Sequence, residues 1–424
     1  QMSSILFVTV GGSPDPVIKA VESFKPKYTY FIVTDHTENN KGSIETVIGD
    51  EYADSVGKKR PTISKQLELG KDQFEVIIVD SDNPFDVYEK VAPKVEEHLS
   101  HSNIVHLDCT GGTKSMSVGL AYINTEYPKT KLSIITGPRL DLVKVSSGME
   151  RVKRFSQNAV YINRQIKSSE MLVAKRDYHA AYQVLDHLTT EVHIENDANF
   201  DKLYYLSQGF DAWDKFQYEN ALQYIERYKN DEKIKPYNAV LKQLINIEKL
   251  VKPWRPGNKI PTPNGFILVY DLLYNAERKA EANSFDDAVS RLYRALEMYE
   301  QFAFFTNDPA LNTSDLDVSL LPEDIRTAYT REEDKKVVIG LTTGYNLLAR
   351  LDHPVGKVWT SHKNAILDAL QFRNHSYFAH GFNPVTEEDY KTMKQVVWEF
   401  IYECDQAMKF RSTVHDYLQL PNKF

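Results

Sequence analysis

The chain has 424 residues, about three times a typical domain length, so two or three domains are expected. Hydrophobic residues make up 42% and charged residues 26%, a globular composition that excludes a fibrous, collagen-like or mostly disordered chain. With 51 Lys and Arg against 59 Asp and Glu the net charge is −8, and residues 263–424 hold 17 basic against 24 acidic, which excludes an unselective, counterion-releasing nucleic-acid binder.

In chain order, the first 155 residues alternate strands and helices. Ile5–Val10, Tyr28–Val33, Phe74–Val79, Ile104–Leu107 and Leu132–Ile135 are short apolar runs rich in β-branched and aromatic residues, the pattern of buried parallel strands. Pro16–Phe24, Phe85–Leu99 and Ser115–Tyr127 supply the helices between them, so right-handed crossovers predict a Rossmann-like sheet over residues 1–155. From about Gln157 helical periodicity takes over. An aromatic, a small and an aliphatic residue recur in Tyr178-x-x-Ala181-x-x-x-Leu185, Tyr218-x-x-Ala221-x-x-x-Ile225 and Phe285-x-x-Ala288-x-x-x-Leu292. Their uneven separation predicts ordinary helical-hairpin packing rather than a regular solenoid. The stretch Lys252–Gly265 holds four prolines and two glycines and marks a boundary. Beyond it, helices over Phe266–Ala282, Phe285–Phe305, Lys357–Phe378 and Glu387–Phe410 predict a four- or five-helix bundle. The expected fold class is α/β plus all-α: a sheet domain over 1–155, a helical connector over 156–262 and a terminal bundle over 263–424.

No apolar run approaches the roughly 20 residues that span a bilayer, and Gln1-Met2-Ser3-Ser4 lacks the pattern of a leader, so a cytoplasmic protein without membrane contact is expected. Cys109 and Cys404 are the sole cysteines, which leaves no disulfide framework and no cysteine zinc cluster. Cys109 has no evident base beside it and reads as a small packed hydrophobe rather than a nucleophile.

In an open parallel sheet, ligands gather at the carboxyl ends of the strands. The first strand there runs into Thr9-Val10-Gly11-Gly12-Ser13, and the fourth into Asp108-Cys109-Thr110-Gly111-Gly112-Thr113-Lys114-Ser115. Glycines allow close backbone approach, helix-initial amides favour anions, and Thr, Ser and Lys add donors for phosphate oxygens. Neither loop has the spacing of a P-loop or of G-x-G-x-x-G. Each glycine pair alone is equally a tight strand-to-helix turn, whereas two on one sheet favour a ligand.

Together with Pro14-Asp15-Pro16 and Met116-Ser117, these two loops resemble the CARF domain of CRISPR-associated proteins, a Rossmann-like sensor that dimerises and binds a cyclic oligoadenylate across its two-fold axis. The resemblance covers about residues 3–155 and implies that Gly11, Gly12, Ser13, Thr110, Gly111, Gly112, Thr113 and Lys114 face that ligand.

Late in the chain stands Phe372-Arg373-Asn374-His375-Ser376-Tyr377-Phe378-Ala379-His380-Gly381. On a continuous helix, the seven-residue step from Arg373 to His380 is nearly two turns, so both side chains share a face, and Gly381 with Pro384 ends the helix just beyond. A guanidinium that holds the scissile phosphate and an imidazole that exchanges protons near neutral pH suit metal-free RNA cleavage. The ribose 2′-hydroxyl is then the internal nucleophile, giving a 2′,3′-cyclic phosphate and a 5′-hydroxyl. On spacing alone, such a pair is usually a solvated face or a cap. The run Arg373-Asn374-x-x-x-x-x-His380, however, resembles the R-x4-6-H motif of HEPN ribonucleases, with a spacer of six. That likeness implies that Arg373, Asn374 and His380 form a composite site at a dimer interface, with Glu297 as a candidate to orient Arg373. His353, His362, His375 and His380 lack the i, i+4 interval of helical metal ligands, and no acidic set stands beside them in sequence, so no metal site and no cofactor are expected.

Joined in one chain, the two resemblances are similar to the CARF–HEPN ribonucleases of type III CRISPR systems. They imply a homodimer activated by cyclic tetra- or hexa-adenylate to cut single-stranded RNA. The alternatives are a ring nuclease that degrades the cyclic nucleotide and a non-catalytic nucleotide-sensing regulator.

Overall fold

The computed structural model describes residues 3–37, 41–136, 151–155, 158–194, 197–252, 264–329 and 337–424. Most of the proline-rich boundary, residues 253–263, lies outside them. The chain forms two compact units, Gln1–Lys167 with Val184–Asn196, and Ser168–Gln183 with Asp197–Phe424.

The first unit is built on β1 (Ser4–Thr9), α1 (Asp15–Phe24), β2 (Tyr28–Val33), a short hairpin of β3 (Glu51–Ala53) and β4 (Lys59–Pro61), α2 (Ile63–Gln66), β5 (Phe74–Ile78), α3 (Pro84–Ser100), β6 (Ile104–Asp108), α4 (Lys114–Glu126), β7 (Lys131–Thr136) and β8 (Arg151–Phe155). The sheet order is β5-β2-β1-β6-β7-β8. The first five of these strands run parallel, and β8 joins the edge antiparallel to β7. Side chains alternate across the sheet. Ile5 and Phe7 pack with Val91 of α3 and Leu120 of α4 on one face, and Leu6 and Val8 pack with Val17 and Ala20 of α1 on the other. The five expected strands and three expected helices all form, and the Rossmann-like fold stands. The sequence reading did not include the β3–β4 hairpin or the β8 edge.

The order of strands reverses direction between β1 and β6, where Val8 lies opposite Asp108. The loops leaving these two neighbours therefore open side by side, at the position where doubly wound sheets place their ligands.

Beyond the sheet come α5 (Asn158–Ala174), α6 (Tyr178–Glu191), α7 (Ala198–Asp214), α8 (Tyr218–Ile225), α9 (Lys235–Val251), α10 (Ile267–Glu281), α11 (Phe285–Thr306), the short α12 (Glu323–Arg326), α13 (Leu341–Arg350), α14 (Pro354–Asn374) and α15 (Glu387–Ala407). The recurring aromatic–small–aliphatic pattern has a structural counterpart. Arg176, Phe216 and Asn283, each two residues before the aromatic, adopt left-handed backbone with φ of 57°, 59° and 59°. The next amide in each case (Asp177, Gln217 and Ser284) donates back to the carbonyl of Leu172, Ala212 and Lys279. Each is a Schellman-type stop that reverses the chain into the following helix. Asp352, with φ 57°, and the His353 amide on the Leu348 carbonyl repeat the device before α14. In the terminal bundle α11 packs on α10, α13, α14 and α15. Buried polar pins fix this unit: Asp271 accepts from Trp213 Nε1 at 2.9 Å and from the Tyr218 and Tyr417 hydroxyls, both at 2.8 Å.

Candidate functional site

At the sheet's switch point the two glycine loops interlock. The fully buried Thr9 hydroxyl donates to the Gly111 carbonyl at 2.7 Å. A side chain at Gly11 would place its Cβ 2.6 Å from the Gly112 nitrogen, and Gly112 itself has φ +80°, so both positions require glycine. Asp108, buried, supports the second loop: its carboxylate accepts from the Thr110 amide at 3.1 Å and from the Ser133 hydroxyl at 2.8 Å. Burial pushes its pKa above the ordinary carboxylate value, and the Ser133 and Thr110 hydrogen bonds oppose that shift.

A cavity of about 300 Å³ opens above these loops, lined by Val10, Gly11, Gly12, Gly112, Thr113 and Met116 on one side and by Thr34, Lys41, Ser43, Tyr52 and Asp54 on the other. A second, of about 510 Å³, shares Thr34, Lys41 and Thr113 and adds Asp35, Asp80, Ser81 and Asp82. Of the eight residues expected to face a ligand, Gly11, Gly12, Gly112 and Thr113 line this region. Thr113 also caps α4, accepting from the Met116 amide at 3.3 Å, and donates to the Ser81 carbonyl at 2.5 Å. Ser13, Thr110, Gly111 and Lys114 line neither cavity. Thr110 Oγ1 is occupied by the Ile135 amide at 2.5 Å, Gly111 serves the loop lock, and Lys114 is exposed at the start of α4. The polar wall between residues 34 and 55 was missed. Its signal in sequence is weak, because its strands are three residues long.

Cys109 is 8% exposed, with burial pushing its thiol up to about 11, so it carries no nucleophilic thiolate at neutral pH.

The C-terminal constellation differs from the expected geometry. Helix α14 stops at Asn374, so Arg373 and His380 do not share a helical face. The chain instead folds back on itself. The amides of His380, Gly381 and Asn383 donate to the carbonyls of Asn374, Ser376 and His375 at 3.2, 3.2 and 3.0 Å. The turn thereby returns the His380 backbone to Asn374, beside Arg373. A Cβ on Gly381 would lie 1.9 Å from the His375 carbonyl oxygen, so this turn closes only with glycine there.

Arg373 stands in the last turn of α14 with its guanidinium carbon 4.3 Å from the centre of the Tyr293 ring on α11, a cation–π stack. Its Nη1 donates to Asn374 Oδ1 at 3.4 Å, and its Nε is buried without a partner. The residue beneath Arg373 is thus Tyr293. Glu297, the candidate from sequence, forms its ion pair with Arg294, at 3.3 Å. Burial, then Glu297, raises the Tyr293 hydroxyl above its ordinary pKa. His380 is exposed, and the same turn carries Tyr377, Phe378 and Phe382 at 65%, 60% and 81% exposure. Among the described residues, no helix is long and apolar enough to cross a membrane.

A Rossmann-like sheet with a loop-built cavity, followed by a helical unit whose Arg-Asn…His run closes in a turn, defines a sheet-and-bundle class of protein. Residues 258–403 match the family model of the Csm6 HEPN domain and residues 161–252 that of the Csm6 6H domain, together more than half of the chain. The structure of Enterococcus italicus Csm6 bound to cyclic hexa-2'-fluoro-hexa-dAMP shares the fold with a TM-score of 0.62 at 14% identity, over 96% of this chain and 95% of that one. No curated protein matches in sequence. The chain belongs to the CARF–HEPN ribonuclease family of type III CRISPR systems, among the Csm6 proteins.

Proposed function

We propose that the protein is a homodimeric endoribonuclease of type III CRISPR antiviral defence, switched on by a cyclic oligoadenylate and independent of metal. Residues 1–155 act as the sensor, 156–262 as the coupling helices and 263–424 as the nuclease. The observation that carries this reading is the fold-back turn, which gathers Arg373, Asn374 and His380 at one end of α14. Arg373, stacked on Tyr293, retains guanidinium donors for the scissile phosphate and for the charge that builds on it. Asn374 holds Nη1 of that guanidinium. His380, exposed on the turn, takes or returns a proton as the ribose 2′-hydroxyl attacks, which leaves a 2′,3′-cyclic phosphate and a 5′-hydroxyl. One imidazole supplies half of the acid–base pair, and a second copy supplies the other. The exposed Tyr377, Phe378 and Phe382 around His380 fit a face covered in a dimer.

On the sensor side, Gly11, Gly12, Gly112 and Thr113 form the wall against which the cyclic nucleotide rests. Ser13, Thr110, Gly111 and Lys114 complete the loops around it. The activator must bind the cutting arrangement more tightly than the resting one, since equal affinity shifts nothing.

The test is cleavage of a fluorescent single-stranded RNA in EDTA with no activator, cyclic tetra-adenylate or cyclic hexa-adenylate. Cleavage with one ring size, absent in Arg373→Ala and His380→Ala, is expected. Turnover of the cyclic nucleotide without any RNA cleavage would favour a ring nuclease, and binding without either reaction a regulator.

A further inference from the structure

The packing of α14 on α15 brings a histidine together with two carboxylates that lie far from it in sequence. His362 projects from α14, while Glu399 and Glu403, one turn apart, share a face of α15. Their nearest ligand atoms all lie within 4.8 Å of one another. We propose that His362, Glu399 and Glu403 bind a divalent transition-metal ion, with zinc the best fit, which clamps α14 to α15.

The orientation of the imidazole is the independent observation. Nδ1 of His362 lies 3.1 Å from the Val358 carbonyl oxygen. The Ser361 hydroxyl lies 3.1 Å from the same nitrogen, so Nδ1 is engaged on α14 and Nε2 is the ring nitrogen left to face α15. Nε2 lies 3.4 Å from Glu403 Oε1. A divalent cation seated there would be held by the imidazole nitrogen and both carboxylates together. A backbone carbonyl on the far nitrogen is also the arrangement that orients metal-bound histidines. The Phe400 ring, 5.8 Å from the imidazole centre, packs beside it. Among the described residues no lysine or arginine forms an ion pair with Glu399 or Glu403.

One imidazole and two carboxylates leave a tetrahedral ion one position for water. The nitrogen ligand favours zinc over magnesium or calcium, which prefer oxygen alone. Along α14 the site lies eleven residues before Arg373, about 16 Å at the helical rise, too far to act on an RNA bound there. Its role is to tie together the two helices that flank the turn of His380.

The site is tested on the full-length protein stripped with EDTA and returned to metal-free buffer. Zinc chloride is titrated by calorimetry, and melting temperature is read with zinc or magnesium. The wild type is expected to bind one equivalent of zinc that His362→Ala weakens by about a hundredfold or more, and to melt higher with zinc but not with magnesium. His101→Ala, an exposed histidine of the first unit, should bind as the wild type does. Because Glu399 and Glu403 are exposed, the double variant Glu399→Gln/Glu403→Gln keeps the shape of the helix and decides the matter if His362→Ala does not fold. Equal stoichiometry and affinity in wild type and double variant, or no zinc binding by the wild type, would overturn the site and leave His362 and Glu403 as a simple side-chain contact between α14 and α15.

Discussion

The cradle of the first unit and the turn of the second are built from opposite materials. At the switch point of the sheet the determining atoms are backbone: Gly11 against Gly112, and the Gly111 carbonyl held by Thr9. At the end of α14 they are side chains, Arg373 on Tyr293 and His380 on an exposed turn. A backbone cradle is fixed before any ligand arrives and fails when a methyl is added. A side-chain site tolerates changes of shape around it and fails when a functional group is removed. The two regions should therefore respond to different substitutions, and that contrast can be tested one residue at a time.

The largest effect is expected at the side-chain site. Arg373→Ala and His380→Ala should each lower activated RNA cleavage by about 10²- to 10⁴-fold, the range for losing a general acid–base or charge-stabilising group, while binding of the cyclic nucleotide stays unchanged. Parallel binding and cleavage assays measure this, and loss of both together would mean the turn is structural.

The second effect tests the cradle. Gly11→Ala forces a Cβ to within 2.6 Å of a backbone nitrogen, whereas Gly12 has open space around its Cβ position. Overpacking of this kind costs about 1–3 kcal/mol, so Gly11→Ala should raise the activator concentration for half-maximal cleavage by about tenfold or more. Gly12→Ala should change it little. Equal behaviour of the two variants would show that the loop yields and that the cradle is not preformed.

How far sequence reaches follows the same division. Strands such as Tyr28–Val33 were legible because parallel strands buried on both faces must be continuous apolar runs, and the glycine loops stood out because two glycine pairs end strands of one sheet, although each pair alone is equally a tight turn. The wall from Thr34 to Asp54 was not, because β3 and β4 are three residues each and show no period. The end of α14 was not legible either. Asn374, His375 and Ser376 are weak helix formers, but no proline or glycine between Arg373 and His380 breaks a helix outright. The fold-back is held by the amides of His380, Gly381 and Asn383 on the carbonyls of Asn374, Ser376 and His375, contacts that exist only once the turn has closed. His362, Glu399 and Glu403 were invisible for the same reason, since their meeting depends on how α14 and α15 pack.

A third prediction separates stacking from charge beneath Arg373. Tyr293→Leu removes a cation–π contact of about 0.5–2 kcal/mol and should slow cleavage about 2- to 30-fold, while Tyr293→Phe, which keeps the ring, should stay close to wild type. Tyr293 is a positioning residue, so the loss should fall on the rate at saturating RNA. If Phe is as damaging as Leu, the hydroxyl and not the ring is what matters.

The smallest effect lies beneath the same helices. Glu300 of α11 is 3% exposed, its Oε1 has no hydrogen-bond partner, and a Cβ on Gly344 would fall 1.1 Å from that oxygen. Burial, reinforced by Glu297, pushes its carboxyl up to about 9, so it is neutral in the folded protein at neutral pH. In the unfolded chain it titrates near its ordinary value of 4.5. The folded state therefore holds a proton that the unfolded state releases. The stability this group contributes is full below about pH 4.5 and is lost as pH rises toward 9. Glu300→Gln keeps the shape without a titrating proton. Its melting temperature should match the wild type near pH 5 and exceed it by a few degrees near pH 9, flattening the decline between them. An unchanged slope in thermal melts across that range would mean that Glu300 is ionised in the fold, with the neighbouring Arg294 as its neutralising partner.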